Sequence, residues 1–273
     1  MKLSLSEIST VNASYREDLA AYAAAGFDGI GIWESKLTGD DETDVAALRA
    51  SGLAVANCIP AAPSILPIPD AIPGPDDPEE RIRALCASMR RLAVYEPESV
   101  LCLTGPAGAL GEGKARRVVI EGLKRVADVA GEVGVRLGLE PVHQSQRDLL
   151  TLVTSIPEAL DLLEDAGLDG VGVMLDTYHV WDTPTVFADI LAETDRITGV
   201  HVGDWPAEPE RTDRVLPGEG ISRTQELVVA LERAGWKGFY DVEIFSTPDL
   251  LWGLPAGEAA RRCHAAMYSL IPG

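Results

Sequence analysis

Short apolar runs rich in Val, Ile and Leu alternate along the chain with longer amphipathic stretches. The runs have the length of β-strands, whereas stretches such as 14–25, 80–95 and 114–132 have the period of a helix packed on a sheet. Eight strands are predicted, at residues 3–8, 28–33, 53–59, 98–103, 135–140, 171–176, 197–202 and 239–245. Eight strands that alternate with helices are typical of an α/β fold, the closed (β/α)8 TIM barrel. Because no linker divides the chain, we predict one domain over residues 1–273.

Local signals mark three of the predicted helix starts. Asp77 precedes a proline in the first helical position, where the missing backbone N–H costs nothing. Ser155 and Ser222 stand three residues before Glu158 and Gln225, which is the spacing of a capping box. We therefore expect Asp77, Ser155 and Ser222 to cap helices.

The stretch 60–78 is the longest irregular segment that the sequence predicts. It holds seven of the 18 prolines, which restrict the backbone and remove hydrogen-bond donors. In a barrel it would follow the third strand, at the end where active sites form. The loop could line or cover a site there, or it could be a surface loop with no role in binding.

Composition and charge narrow the choice of partners. Hydrophobic residues make up 46% of the 273 residues, which is enough for a large core, and the net charge is −20. Such a charge repels nucleic acid and anionic membrane surfaces. The four cysteines, which we expect to be free thiols, form no CxxC pair: Cys58, Cys86, Cys102 and Cys263. Because no apolar run is long enough to be a leader or a membrane span, we expect a cytoplasmic protein. The sequence leaves open whether the protein forms a homo-oligomer.

Four potential metal ligands stand at the ends of four successive predicted strands. They are Glu140, Asp176, His201 and Glu243. A barrel would make these strand ends neighbours. A single carboxylate in such a place usually caps a helix or pairs with an arginine, but four ligands on consecutive strands favour one divalent metal site. Three carboxylates and an imidazole suit Mn²⁺ best, and Mg²⁺, Co²⁺ or Zn²⁺ are acceptable.

The same region carries the motifs LEPVH, DTYHVWD, HVGD, DR-x-LPGEG and VEIF. With them the sequence resembles the xylose isomerase-like TIM barrels, the family of sugar phosphate isomerases and epimerases. The resemblance implies that Glu140, Asp176, His201 and Glu243 bind the metal. It also implies that His179 and Arg214 contact substrate oxygens. Ketose 3-epimerases, hydroxypyruvate isomerases and inosose dehydratases or isomerases belong to this family.

The resemblance implies a metal-dependent isomerase or epimerase of a sugar, keto-sugar or cyclitol. The reaction would pass through a metal-stabilised enediolate, with Glu140 or Glu243 moving the proton and His179 assisting as a catalytic residue. One alternative is a lyase or dehydratase that acts on an inosose or a 3-keto-glycoside through the same metal site. Another is a non-catalytic sugar-binding partner subunit. A DNA-repair endonuclease on the same barrel is disfavoured by the net charge and by a total of four histidines.

Loop residues near the predicted ligands complete the candidate site. Many sugar epimerases place a glutamate six residues after the first ligand, whereas this chain has Gln146, which argues against a simple ketohexose substrate. His143 and Trp181 are candidates for substrate binding. Trp33 could offer a further aromatic surface, although plain packing would also account for it. Asp204 could orient His201, or it could cap its own loop.

Overall fold

Eight parallel strands pair in chain order and close into a barrel, the first strand lying between the second and the eighth. This arrangement is seen in a computed structural model that describes residues 1–69, 72, 74–208, 211 and 213–270. The strands are β1 (Lys2–Ser6), β2 (Gly29–Trp33), β3 (Ala54–Ile59), β4 (Val100–Cys102), β5 (Leu137–Leu139), β6 (Gly172–Asp176), β7 (Ile197–Val202) and β8 (Phe239–Val242). The predicted (β/α)8 barrel of a single domain is confirmed, with each strand inside or within two residues of its predicted range.

Most of the helices surround the barrel on its outside, and two short ones lie at its mouth, where they contribute Leu150, Tyr178 and His179 to the cavity lining. The helices are α1 (Tyr15–Ala25), α2 (Asp41–Ser51), α3 (Pro78–Leu92), α4 (Glu112–Val133), α5 (Arg147–Leu150), α6 (Ile156–Ala166), α7 (Thr177–Val180), α8 (Val186–Glu193), α9 (Thr224–Ala234) and α10 (Ala256–Ser269). Their apolar faces bury the outer side of the strands, which are covered on both faces as in other parallel barrels. No described helix combines the length and the apolar character that a membrane span requires.

Two of the three predicted caps are present. The Asp77 carboxylate accepts a hydrogen bond from the Glu79 backbone N–H at 3.0 Å, and the Ser155 hydroxyl accepts one from that of Glu158 at 3.3 Å. The prediction that Ser222 caps a helix is wrong. Its hydroxyl donates to the Asp204 carboxylate at 2.6 Å, and α9 begins after Arg223, whose side chain caps nothing.

The proline-rich loop after β3 lies against the mouth of the barrel. Backbone N–H groups of Ile65 and Leu66 donate to the chain that follows β4, so this part of the loop extends the sheet. The buried Arg81 side chain holds the loop in place, because it donates hydrogen bonds to the Ser64 carbonyl at 3.2 Å and to the Pro75 carbonyl at 2.9 Å. The described residues Pro60, Ala61, Pro63 and Ile72 line the cavity at the barrel mouth. The loop therefore forms one wall of that cavity.

Candidate metal centre and active site

The strand ends bring the four predicted ligands together. Asp176 is the last residue of β6 and pairs in register with His201 on β7, so both side chains point into the barrel. Glu140 and Glu243 directly follow β5 and β8. All four side chains are buried, with at most 6% of each residue exposed.

Distances within the group fit a single cation. Glu140, Asp176 and His201 each offer a ligand atom, and these atoms lie within 4.8 Å of one another. Glu140 Oε1 is 3.2 Å and Glu243 Oε2 is 3.6 Å from Nδ1 of His201. Buried carboxylates this close need a compensating charge, and oxygen donors with one imidazole match a divalent cation. The residues present therefore fit a metal.

Electrostatics at the centre reflect this crowding of acids. Burial raises the pKa of Glu140 to about 7. Burial lowers the pKa of His201, but Glu243, Glu140 and Asp241 outweigh that effect and raise it to about 10. The pKa of Asp176 is lowered, because the charges of Arg214 and its histidine neighbours exceed the cost of burial. The carboxylates around His201 thus favour a positive charge at the centre.

Arg214 and His179 lie beside the predicted ligands. Nη1 of Arg214 is 2.8 Å from Asp176 Oδ2 and 3.0 Å from Glu243 Oε2. The guanidinium is held over the Tyr178 ring, 4.4 Å from its centroid, which fixes its position. Burial lowers the pKa of His179 to about 3, so the imidazole is neutral, and its Nδ1 has no hydrogen-bond partner among the described residues. Both side chains line the cavity.

A further carboxylate lies below the ligands inside the barrel. Asp241 precedes Glu243 by two residues on β8, so it points to the same side one level deeper. Its Oδ2 is 3.8 Å from Nε2 of His201 and accepts a hydrogen bond from Asn57 Nδ2 at 2.8 Å. A Cβ at Gly31 would collide with this carboxylate, so the glycine makes room for it. Asp241 is not among the residues predicted from the sequence, although its spacing from Glu243 could have revealed it.

The site opens into a cavity of about 420 Å³. Glu140, Glu243, His179 and Arg214 line one end of it. Trp33, Phe245 and several aliphatic side chains line the rest, together with Gln146. The cavity is large enough for a small-molecule substrate.

Two predicted substrate-binding residues lie elsewhere. His143 and Trp181 stack with nearly parallel rings, at a centroid distance of 6.5 Å, and His143 also packs on Trp205 at 4.4 Å. His143 Nε2 contacts Asp182 Oδ2 at 3.1 Å. Neither His143 nor Trp181 is among the described residues that line the cavity. A role in substrate binding stays a prediction for both.

Asp204 organises its own loop. Its carboxylate accepts hydrogen bonds from the backbone N–H groups of Trp205, Gly218 and Ser222, each at 2.9 Å. These contacts match the loop-capping alternative for Asp204. The carboxylate that faces Nε2 of His201 is that of Asp241.

An eight-stranded barrel with a buried acid–histidine cluster at the carboxyl ends of β5 to β7 defines a TIM barrel with a possible divalent metal site. A family profile described as "Xylose isomerase-like TIM barrel" matches residues 19–269. The chain belongs to that family.

Curated relatives of the chain are isomerases, epimerases and dehydratases. An inosose isomerase of Halalkalibacterium halodurans is 25% identical over 49% of this chain and 48% of its own length. A ketose 3-epimerase of Arthrobacter globiformis is 30% identical over 53% of this chain and 47% of its own. A 3-dehydroshikimate dehydratase of Pseudomonas putida is 26% identical over 90% of this chain and 38% of its own. The chain thus spans less than half the length of these relatives.

Solved structures agree on the fold. The protein SMc04130 from Sinorhizobium meliloti has a TM-score of 0.88 and 27% identity, covering 99% of this chain and 98% of that one. The IOLI protein, whose crystal structure holds a zinc atom, has a TM-score of 0.81 and 20% identity, with coverage of 99% and 98%. At that lower identity the likeness concerns the barrel alone.

Proposed function

We propose that this protein is a divalent-metal-dependent isomerase or epimerase of a sugar, keto-sugar or cyclitol, and that it moves a proton beside a substrate carbonyl. The observation that carries the proposal is the convergence of Glu140, Asp176 and His201 within 4.8 Å, with Glu140 lining a cavity. The isomerase and epimerase relatives support it.

Glu140, Asp176, His201 and Glu243 would hold the cation, for which we propose Mn²⁺. When bound, the cation would favour negative charge on adjacent carbonyl and hydroxyl oxygens of the substrate. Mg²⁺, Co²⁺ or Zn²⁺ would be compatible with the same oxygen and nitrogen donors.

The proton would be carried by Glu140 or Glu243. Both carboxylates line the cavity and are buried, so each can approach a substrate carbon away from bulk water. An epimerisation would need removal of the proton on one face of the carbon and its return on the other.

His179 and Arg214 would hold the substrate oxygens. The neutral imidazole can donate a hydrogen bond through a ring N–H as charge develops on an oxygen. Arg214 keeps its positive charge throughout, and its contacts with Asp176 and Glu243 fix the direction of the guanidinium. The two groups thus position the substrate without giving up a proton.

A dehydratase is the second candidate function. The alignment with the 3-dehydroshikimate dehydratase covers 90% of this chain, against 49% for the inosose isomerase. Dehydration begins with the same removal of a proton beside a carbonyl, after which a β-hydroxyl leaves as water. Inososes and 3-keto-glycosides are substrates with which such a lyase could be tested.

Calorimetric titration of metal-stripped protein tests the proposal. We expect about one Mn²⁺ to bind per chain, and we expect Glu140→Gln to weaken binding by tenfold or more. Glu121→Gln, on an exposed part of α4, is the matched control and should bind like the wild type. A screen of keto-sugars, inososes, 3-keto-glycosides and 3-dehydroshikimate with the loaded protein would then identify the reaction. The absence of saturable metal binding would contradict the proposal.

A further inference from the structure

The cavity has two chemically different parts. The metal centre, His179 and Arg214 form one end. The rest of the cavity lining includes an apolar wall, which consists of Ile59, Ile72, Leu101, Leu103, Val142 and Leu150. Four of these side chains are buried in a small hydrophobic cluster that is separate from the main core of the barrel.

Two aromatic rings continue this surface. Trp33 and Phe245 lie with centroids 5.7 Å apart at an interplanar angle of 71°. The indole N–H of Trp33 already donates to Ser6 Oγ at 2.9 Å. Trp33 therefore offers the cavity carbon surface and no free polar atom.

Hydrogen-bonding groups are scarce in this part of the cavity. Apart from the metal centre, His179 and Arg214, the polar side chains that line it in the described part of the chain are Gln146, Ser35 and Tyr178. Gln146 Oε1 is buried, and no described residue bonds to it. A chain of hydroxyl groups placed along the apolar wall would lose its hydrogen bonds to water and gain few in return.

Positive charge is equally scarce. Among the described lining residues the single cation is Arg214, which already contacts the carboxylates of Asp176 and Glu243. Phosphate groups are usually bound by available Arg or Lys side chains. A phosphate at the end remote from the metal centre would find no such partner in the described lining.

We infer that the substrate is an uncharged α-hydroxyketone whose remote end is an apolar ring or chain, such as a keto-sugar that carries an aromatic or alkyl substituent. This inference rests on the proposed function, because the metal centre would take the hydroxyketone. The apolar wall selects the remote end against polyhydroxylated and phosphorylated compounds. Gln146 accepts one hydrogen bond from the substrate.

Binding of three small hydroxyketones to the Mg²⁺-loaded protein tests the inference. The probes are 2-hydroxyacetophenone, with an apolar ring; L-erythrulose, with further hydroxyls; and dihydroxyacetone phosphate, with a charge. In ligand-observed NMR titrations we expect the first to bind about tenfold or more tightly than either other probe, because its ring buries apolar surface. Removing Mg²⁺ should weaken its binding.

Adjacent leucines provide a matched pair of variants. Leu150 is half-buried and belongs to the apolar wall, whereas Leu149 is 65% exposed and does not line the cavity. Leu150→Gln should reduce the preference for the aromatic probe about threefold or more, and Leu149→Gln should leave it unchanged. Thermal melts of both variants check that the fold is intact.

The outcomes separate the two proposals. Equal or tighter metal-dependent binding of L-erythrulose or the phosphate by the wild-type protein would overturn the substrate class and leave the metal-centred function standing. If none of the three bound, or if binding did not depend on the metal, this inference would fail, while the metal titration and the substrate screen would decide the proposed function. The wild-type comparison decides the matter even where a variant does not fold.

Discussion

The carboxylate of Asp241 faces His201 from below, its Oδ2 lying 3.8 Å from Nε2, while Nδ1 of the same ring faces Glu140 at 3.2 Å. Asn57 holds Asp241 in place through a hydrogen bond of 2.8 Å. A carboxylate on the far nitrogen of a ligand histidine fixes the orientation of the ring and makes it a better ligand. We therefore expect Asp241 to position His201 for a metal.

Replacing Asp241 with Asn should weaken metal binding by about 10- to 100-fold, because the charge behind His201 is lost while the side-chain volume is kept. Calorimetric titration of metal-stripped protein measures this change, and the visible spectrum of the Co²⁺-loaded variant should differ from that of the wild type. Asp28→Asn, the same substitution at an exposed position where β2 begins, is the control. Unchanged affinity and an unchanged spectrum for Asp241→Asn would show that Asp241 plays no positioning role.

Replacing Arg214 with Ala should leave metal affinity undiminished. The guanidinium contacts Asp176 and Glu243, so its charge competes with a cation for these carboxylates. Turnover of the substrate found in the screen should fall by about 10²-fold or more, because a group that holds developing charge is lost. Metal analysis and steady-state kinetics of the folded variant check both statements. Loss of the metal with Arg214→Ala would mean that Arg214 supports the metal centre instead.

Stability should fall as the pH rises through the titration of Glu7. This residue is fully buried behind Trp33, whose backbone N–H donates to it at 2.8 Å, and burial raises its pKa well above the ordinary value of 4.5. Lys36 opposes that shift but does not cancel it. Between the unfolded and the folded pKa the folded state binds the extra proton, so the free energy of unfolding decreases as the pH increases.

Glu7→Gln should therefore flatten this pH dependence and stabilise the protein relative to the wild type at alkaline pH. Urea unfolding at about pH 5 and about pH 8 measures the difference, and Glu121→Gln serves as the exposed control. Equal pH dependence of the wild type and Glu7→Gln would show that Glu7 is not the group responsible.

The barrel and the grouping of Glu140, Asp176 and His201 could be predicted from the sequence because both depend on local patterns. Apolar runs such as LGL before Glu140 and GVML before Asp176 mark strands that end in a carboxylate. Chain order alone then makes the ends of successive strands neighbours in a closed barrel. The fold follows from the periodicity, and the grouping of the ligands follows from the fold.

Long-range packing could not be predicted in the same way. Ser222 has the spacing of a helix cap, but its hydroxyl donates a hydrogen bond to the carboxylate of Asp204, which is close in space. Trp181 follows His179 by two residues, yet it packs on His143 instead of lining the cavity, because loop conformation decides where its ring lies. The apolar wall likewise combines residues from several strand ends and the proline-rich loop, so no single segment of sequence reveals it.

Solvent isotope exchange tests the central claim, proton transfer beside a carbonyl at a metal centre, most directly. The substrate found in the screen is incubated in D₂O with metal-loaded protein, with metal-stripped protein and with Glu243→Gln, and its α-carbon is followed by NMR and mass spectrometry. We predict that deuterium enters the carbon beside the carbonyl with the loaded wild-type protein, and that exchange falls by about 10²-fold or more without the metal or without the Glu243 carboxylate. Turnover with no solvent deuterium in the product, or exchange that is equal in all three samples, would contradict the account.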